Sequence, residues 1–176
     1  VGAKLSRRVV NGSISAFYMK GSNMIDWVKA NPDDKWESRN HTRINKRGFE
    51  ANVQIDLQEW LGTRQPLLSL NAGYMHLHQN RVADDLISNY TLNHLRHKFT
   101  AALHHKVVKD LTLSWNFRWQ ERAGSYVQYV DLQPGEQVNF TPFGLLDLKA
   151  NWSHGRYNLF VNANNIFNAT HVDYGN

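Results

Sequence analysis

Leu111-Thr-Leu-Ser-Trp-Asn-Phe-Arg-Trp-Gln120 switches between apolar and polar side chains at every position. Leu111, Leu113, Trp115, Phe117 and Trp119 alternate with Thr112, Ser114, Asn116, Arg118 and Gln120. Successive side chains of a β-strand point to opposite faces. The segment therefore has one apolar face, ending in aromatic rings, and one polar face. Its length suits a tilted strand crossing a bilayer, which needs about 9–11 residues. An arginine facing lipid near the midplane costs about 2–4 kcal/mol. That cost assigns Arg118 to an aqueous lumen and Trp115 to lipid. A soluble sandwich alternates in the same way, usually over shorter strands.

The pattern recurs along the chain. Residues 1–10 are expected as a first strand, closed by a turn at Asn11-Gly12. Ile14, Ala16 and Tyr18 share a face of the next strand. Phe49, Ala51, Val53, Ile55 and Leu57 then alternate with Glu50, Asn52, Gln54 and Asp56. Leu68, Leu70, Ala72 and Tyr74 mark another strand, as do Phe99, Ala101 and Leu103 within residues 90–107. Two more follow, through Leu146, Leu148, Ala150 and Trp152 and then Tyr157, Leu159, Val161 and Ala163. About eight strands in successive hairpins result. Connections alternate between short (Asn11-Gly12, 58–66, Lys109-Asp110, 154–156) and long (29–41, 80–89, 123–139). Outer-membrane barrels join short periplasmic turns with longer extracellular loops. A soluble meander has no physical reason to do so.

Composition agrees with this reading. The 176 residues suffice for one domain, and the absence of cysteine excludes disulfides and thiolate metal sites. No apolar run is long enough for a transmembrane helix. The mean hydropathy of -0.56 is low; half of each barrel strand faces a polar lumen, which hides the apolar half in the average. The net charge of +5 is scattered among acids, so nucleic acid is not an implied partner. Val1-Gly-Ala-Lys-Leu5 reads as mid-structure, not as a leader, so a mature or truncated chain is expected.

Three stretches resemble TonB-dependent outer-membrane receptors. Ser15-Ala-Phe-Tyr-Met-Lys-Gly-Ser-Asn-Met-Ile-Asp-Trp27 is similar to a family strand that ends in Ile-Asp-aromatic. Asn45-Lys-Arg-Gly-Phe-Glu50 resembles the Gly-hydrophobic-Glu signature of the strand after it. Leu146-Asp147-Leu148 followed by Asn162-Ala-Asn-Asn-Ile-Phe-Asn168 resembles the penultimate region, marked by Asn-hydrophobic-Phe-Asn. The resemblance implies an all-β, antiparallel transmembrane barrel of about 22 strands closed by a plug domain. It implies uptake of a scarce, bulky nutrient across the outer membrane of a Gram-negative bacterium, energised through the TonB complex. Cobalamin and ferric-siderophore receptors are the nearest in strand and loop length. Membrane lipid and a capping surface lipoprotein are further partners of such a receptor. The plug, the TonB-contacting segment and the aromatic-ended closing strand have no counterpart here, so residues 1–176 are expected to be the C-terminal part of the barrel.

Candidate residues follow from the two faces. Glu50, Asp56, Arg118 and Lys149 are expected to face the lumen, as a polar substrate path or as an ion-pair lattice against the plug. Residues 29–41, 80–89, 123–139 and the chain after Phe167 are the expected substrate-capturing loops. Among them Trp36, Tyr126 and Tyr129 are the first candidates for ligand contact, because rings give rigid contact area. Trp60, Trp119, Trp152 and Tyr157 fall near strand ends, as interfacial belts or as cross-strand packing. His76 and His78 should share a face while His104 and His105 oppose; without a third ligand at suitable spacing, hydrogen bonding explains them better than metal binding. Asp33-Asp34 and Asp84-Asp85 offer oxygens of the kind Ca²⁺ takes, but an adjacent pair falls short of an ordered ligand set. The six Asn-X-Ser/Thr sequons, at Asn11, Asn40, Asn89, Asn139, Asn151 and Asn168, are read as chance in an Asn-rich bacterial chain. No catalytic triad or phosphate loop stands out. Two rival readings are a small outer-membrane barrel enzyme, lipase or protease, and a soluble carbohydrate-binding β-sandwich.

Overall fold

The Leu111 segment forms β7 (Leu111–Arg122), a strand with a partner on each side. β6 (Leu95–Val108) pairs with it through Phe99↔Trp119, Ala101↔Phe117 and Leu103↔Trp115. β10 (Phe143–His154) pairs with its other edge through Leu146↔Phe117 and Leu148↔Trp115. Directly opposed residues of antiparallel strands point to the same face. The apolar stripe therefore widens strand by strand. β4 (Leu67–Val82) extends it with Leu70, Ala72 and Tyr74, and β3 (Glu37–Asp56) with Phe49, Ala51, Val53 and Ile55. β2 (Val10–Lys29) adds Val10, Ile14 and Ala16. The computed structural model describes residues 1–31, 33–82, 87–88 and 94–173.

β1 (Gly2–Ser6) and β11 (Tyr157–Ala163) are the two edges of this antiparallel meander, ordered β1-β2-β3-β4-β6-β7-β10-β11. The two-residue β5 (Ile87–Ser88) pairs with the end of β2. β8 (Ser125–Val130) and β9 (Gln133–Asn139) form a separate two-stranded hairpin. α1 (Leu57–Leu61) is a single helical turn.

The sheet is one layer thick. Among the described residues, the buried hydrophobics are Val28, Ile44, Leu57, Phe140 and Leu145. Ile14, Phe49, Phe117, Leu159 and Val161, all on the apolar face, are exposed. A soluble sheet buries its apolar face under helices or a second sheet. Among the described residues, the hairpin and the single helical turn leave this face uncovered, unlike the inner face of a sandwich. An apolar face exposed to this extent matches the lipid-facing side of a transmembrane barrel.

Several boundaries differ from the sequence reading. The first turn lies at residues 7–9, closed by Arg7 N–H donating to the Val10 carbonyl at 2.9 Å, not at Asn11-Gly12. Asn11 and Gly12 are held in the ladder because Val10 and Gly12 must face Ile55 and Val53. The expected 29–41 loop narrows to residues 30–36, because Glu37 through Asn40 pair with β2. Alternation of β-propensity ends well before backbone pairing does. The strict short/long rule consequently breaks there, since residues 57–66, expected as the shorter link, span more chain. Residues 123–139 carry β8 and β9 in place of an irregular loop, and their turn falls at Asp131-Leu132, not at Gln133-Pro134-Gly135. Asp131 and Leu132 both have positive φ, 50° and 65°, as a two-residue primed turn demands.

Two outcomes test this arrangement in the full-length protein folded into lipid vesicles. Leu148→Arg, on the apolar face, should lose about 2–4 kcal/mol of folding free energy, whereas Asn116→Arg, on the opposite face, should lose under about 1 kcal/mol; denaturant titration with tryptophan fluorescence separates them. Gly48 sits across from Phe17, and a Cβ there would lie 2.8 Å from the Phe17 ring. Gly48→Leu should therefore reduce the heat-modifiable folded band on gels more than Gly12→Leu, where the nearest atom is 3.5 Å away.

Candidate functional site

The face opposite the apolar stripe carries polar and charged groups. Glu50 lies between Ser15 and Met75 in register, and Arg118 between Thr100 and Leu145. Lys149 lies between Ser114 and Asn162. Asp56 shares the same face by alternation, opposite Ser69. These four residues share one face but do not converge. Lys149 Nζ sits over the Phe160 ring at 5.1 Å.

Asp56 has a separate local task. Its carboxylate accepts a hydrogen bond from the Glu59 N–H at 2.9 Å and caps α1. An oxygen at this position satisfies an amide that a helix start leaves unpaired. Gly62, at φ +89°, ends the turn, and its N–H donates to the Gln58 carbonyl. Gln65 Nε2 then braces the link by donating to the carbonyls of Leu57, Gly62 and Leu67.

The densest polar grouping lies at the opposite end of the sheet, where the chain leaves β11. Asn165 N–H donates to Asp147 Oδ1 at 2.7 Å, and Ile166 N–H to the Leu146 carbonyl at 2.9 Å. Asn168 N–H returns to the Asn165 carbonyl at 2.8 Å. Asn165 and Asn168 both adopt positive φ, 49° and 50°, a conformation asparagine tolerates better than most side chains. The Asn-Ile-Phe-Asn motif is thus a tight turn that swings the following residues over the polar face. His171 then packs on Phe143 with ring centroids 4.5 Å apart. Asp173 arrives at the end of β7. Gln120 Nε2 donates to its Oδ1, while Arg118 Nη1 and Arg122 Nη2 stand 3.7 and 3.8 Å from its carboxylate.

This grouping reaches one of the three candidate aromatics. Arg122 lies 5.7 Å from the centre of the Phe140 ring, and Phe140 packs on Tyr126 at 5.2 Å. Tyr126 is thereby linked to Arg118 through Phe140, Arg122 and Asp173. Tyr129 is placed on β8, its backbone opposite Pro134. Trp36 belongs to another group: Lys29 Nζ lies 4.9 Å over its ring at the tip of β2 and β3. Asp34, in the same tip, accepts hydrogen bonds from Asn31 N and Nδ2 at 2.9 and 3.0 Å. Asp84 and Asp85 lie outside the described residues. Among the described residues no group of three His, Asp or Glu side chains is placed to hold a metal ion.

On the apolar face, His76 pairs across strands with His97. His76 Nδ1 is 3.3 Å from His97 Nδ1, and Tyr74 Oη is 2.6 Å from the same His97 atom. Phe49, Tyr74, His97 and Trp119 form a continuous aromatic row at the loop end. Trp152 and His154 stack at the turn end, with centroids 5.8 Å apart. Trp60 is exposed on α1. The i, i+2 reading of His76 and His78 missed His97, because nothing in sequence spacing reveals which strands neighbour each other.

Residues 1–166 match the family model described as "TonB dependent receptor-like, beta-barrel". The chain belongs to that family. Proteins of the TonB-dependent receptor family are transporters of Gram-negative outer membranes, not enzymes, which removes the lipase or protease reading. No curated protein matches the chain. The FrpB iron transporter of Neisseria meningitidis shares the fold. Its F3-3 variant has a TM-score of 0.67 at 19% identity, over 97% of this chain and 26% of that one. The apoprotein form of the F5-1 variant gives 0.67 at 17% identity with the same coverage. This TonB-dependent receptor chain thus spans about a quarter of the length of those transporters.

Removing the Asp56 cap tests the local account of α1. Asp56→Ala should cost about 1 kcal/mol of stability and Asp56→Asn much less, read as denaturant midpoints in the full-length protein.

Proposed function

We propose that this chain is the C-terminal stretch of a plugged receptor barrel of about 22 strands that takes up a scarce, bulky nutrient through TonB. The observation that carries the reading is a single-layered sheet with an uncovered apolar face and an opposite face lined by Glu50, Arg118, Lys149 and amides. Among the described residues, β1 and β11 each pair on one side only. Unpaired strand edges in lipid cost several kcal/mol per polar group, so further barrel strands must flank them. The polar face is then the lumen.

At the turn end that face has a concavity of about 520 Å³, lined by groups such as Lys4, Asn52, Asn71, Gly73 and Thr100. Its amides and lack of bulk suit contact with a plug domain supplied by another part of the protein. The loop end, with Trp36, Tyr126 and Tyr129, faces the cell exterior and captures the nutrient. Likeness in fold to an iron transporter favours ferric siderophore over cobalamin as cargo.

Expression of the full-length receptor in a Gram-negative host stripped of its own siderophore and cobalamin receptors tests this. Growth on one of these nutrients should appear only when TonB is present. Growth that survives loss of TonB, or no growth on any ferric siderophore or on cobalamin, would overturn the proposal.

A further inference from the structure

Tyr18, Arg47 and His78 stand in one row across β2, β3 and β4, Tyr18 opposite Arg47 and Arg47 opposite His78. They share the apolar face with Phe49 and His76, two positions nearer the loop end. Lys20, Asn45 and Asn80 form the next row out, and Arg43 follows two positions further along β3. A groove of about 140 Å³ is lined by Tyr18, Asn45, Arg47, His78 and Asn80.

The cations of this patch are not matched by acids. β4 contains no Asp or Glu. Glu50 belongs to the opposite face, and Glu37, at the tip of β3, is engaged by Arg39 at 2.7 Å. Among the described residues, no carboxylate forms an ion pair with Lys20, Arg43 or Arg47. Lys20 Nζ lies 5.8 Å from the centre of the Tyr18 ring, and Lys20 and Arg47 are both exposed. Aromatic side chains favour the headgroup level, so cations just beyond the Phe49 row meet headgroups and not acyl chains. In the other direction the same face continues through Ala16, Ile14, Ala51 and Val53. An occupant therefore meets positive charge at one end and apolar surface at the other, which fits an anionic lipid better than a free anion.

We propose that Tyr18, Lys20, Asn45 and Arg47 form a docking site on the outside of the barrel for the phosphate of an outer-leaflet lipid headgroup. The inference rests on the barrel reading, with the loop end at the cell exterior. The Arg47 guanidinium can meet two phosphate oxygens at once, and Lys20 adds a compact point charge. The Asn45 amide and the Tyr18 hydroxyl add neutral donors. The acyl chains would lie along Ala16 and Ala51.

The test uses the full-length receptor in detergent micelles, with native mass spectrometry as the readout and dioleoyl phosphatidic acid and dioleoyl phosphatidylcholine as probes. The parent should bind the phosphatidic acid at least fivefold more tightly. Lys20→Gln and Arg47→Gln should each lower that ratio at least twofold, and together bring it below twofold, with the heat-modifiable gel shift confirming folded protein. Lys109→Gln, which removes one positive charge at the turn end, should leave the ratio unchanged. Excess inorganic phosphate should lower phosphatidic acid binding less than twofold, because the acyl chains hold the lipid as well. No lipid preference in the parent would overturn the docking site, as would a preference that survives the double substitution. An equal loss in Lys109→Gln would do the same by showing a general charge effect, and full displacement by inorganic phosphate would show a free-anion site instead. These measurements do not involve TonB, so a failed docking site leaves the uptake reading standing. A receptor that shows the lipid preference but supports growth without TonB would sink the uptake reading alone.

Discussion

Every backbone amide and carbonyl in a strand that crosses lipid needs a hydrogen-bond partner from the protein itself. No water is available to an N–H or C=O group in the hydrocarbon layer, so each must be paired by a neighbouring strand. The ladders joining β2, β3, β4, β6, β7 and β10 do this, with register shifts only toward their ends. The requirement accepts almost any side chain, because it is met by main chain alone. Side chains are then sorted by face: lipid on one side, water on the other. A one-residue slip in any pairing would exchange the two sets, so the alternation that fits the membrane also fixes the register.

This division leaves stability and chemistry on separate surfaces. The apolar face needs only to be greasy in the middle and aromatic at its borders, and Leu148, Phe117, Trp119 and Trp152 supply that. The polar face carries little packing of its own. Specific arrangements there arise where something crosses the strands. α1 is one case, held by the Asp56 cap and by Gln65. The segment after β11 is another. There two asparagines with positive φ reverse the chain and carry Asp173 to Arg118 and Arg122.

Much of the fold was legible because period-two alternation is a direct record of two-sided exposure. Leu111–Gln120 needed no tertiary information to be read as a two-faced strand. Boundaries were less legible. Glu37 through Asn40 carry no alternation and still pair, because strands that project beyond a membrane meet water on both faces. Gln133-Pro134-Gly135 has turn composition but sits in β9, since the two-residue turn at Asp131-Leu132 closes the hairpin first. The site was legible only in part. Arg118 follows from the cost of charge in lipid. Gln120, Arg122 and Asp173 do not, because 50 residues of chain lie between β7 and Asp173 and no spacing rule links them.

Alternation and ordered family motifs identify an all-β chain of membrane-length strands without any coordinates. Alternation is a local property, and every strand carries its own copy of it. Tertiary structure decided which residues meet. His76 found His97 and not His78, Asp56 became a helix cap, and the Asn-Ile-Phe-Asn turn delivered a carboxylate to a pair of arginines. Such meetings depend on strand order, register and the path of a connecting segment. Those are set by the pairing of distant backbone groups, and no short window of residues contains them.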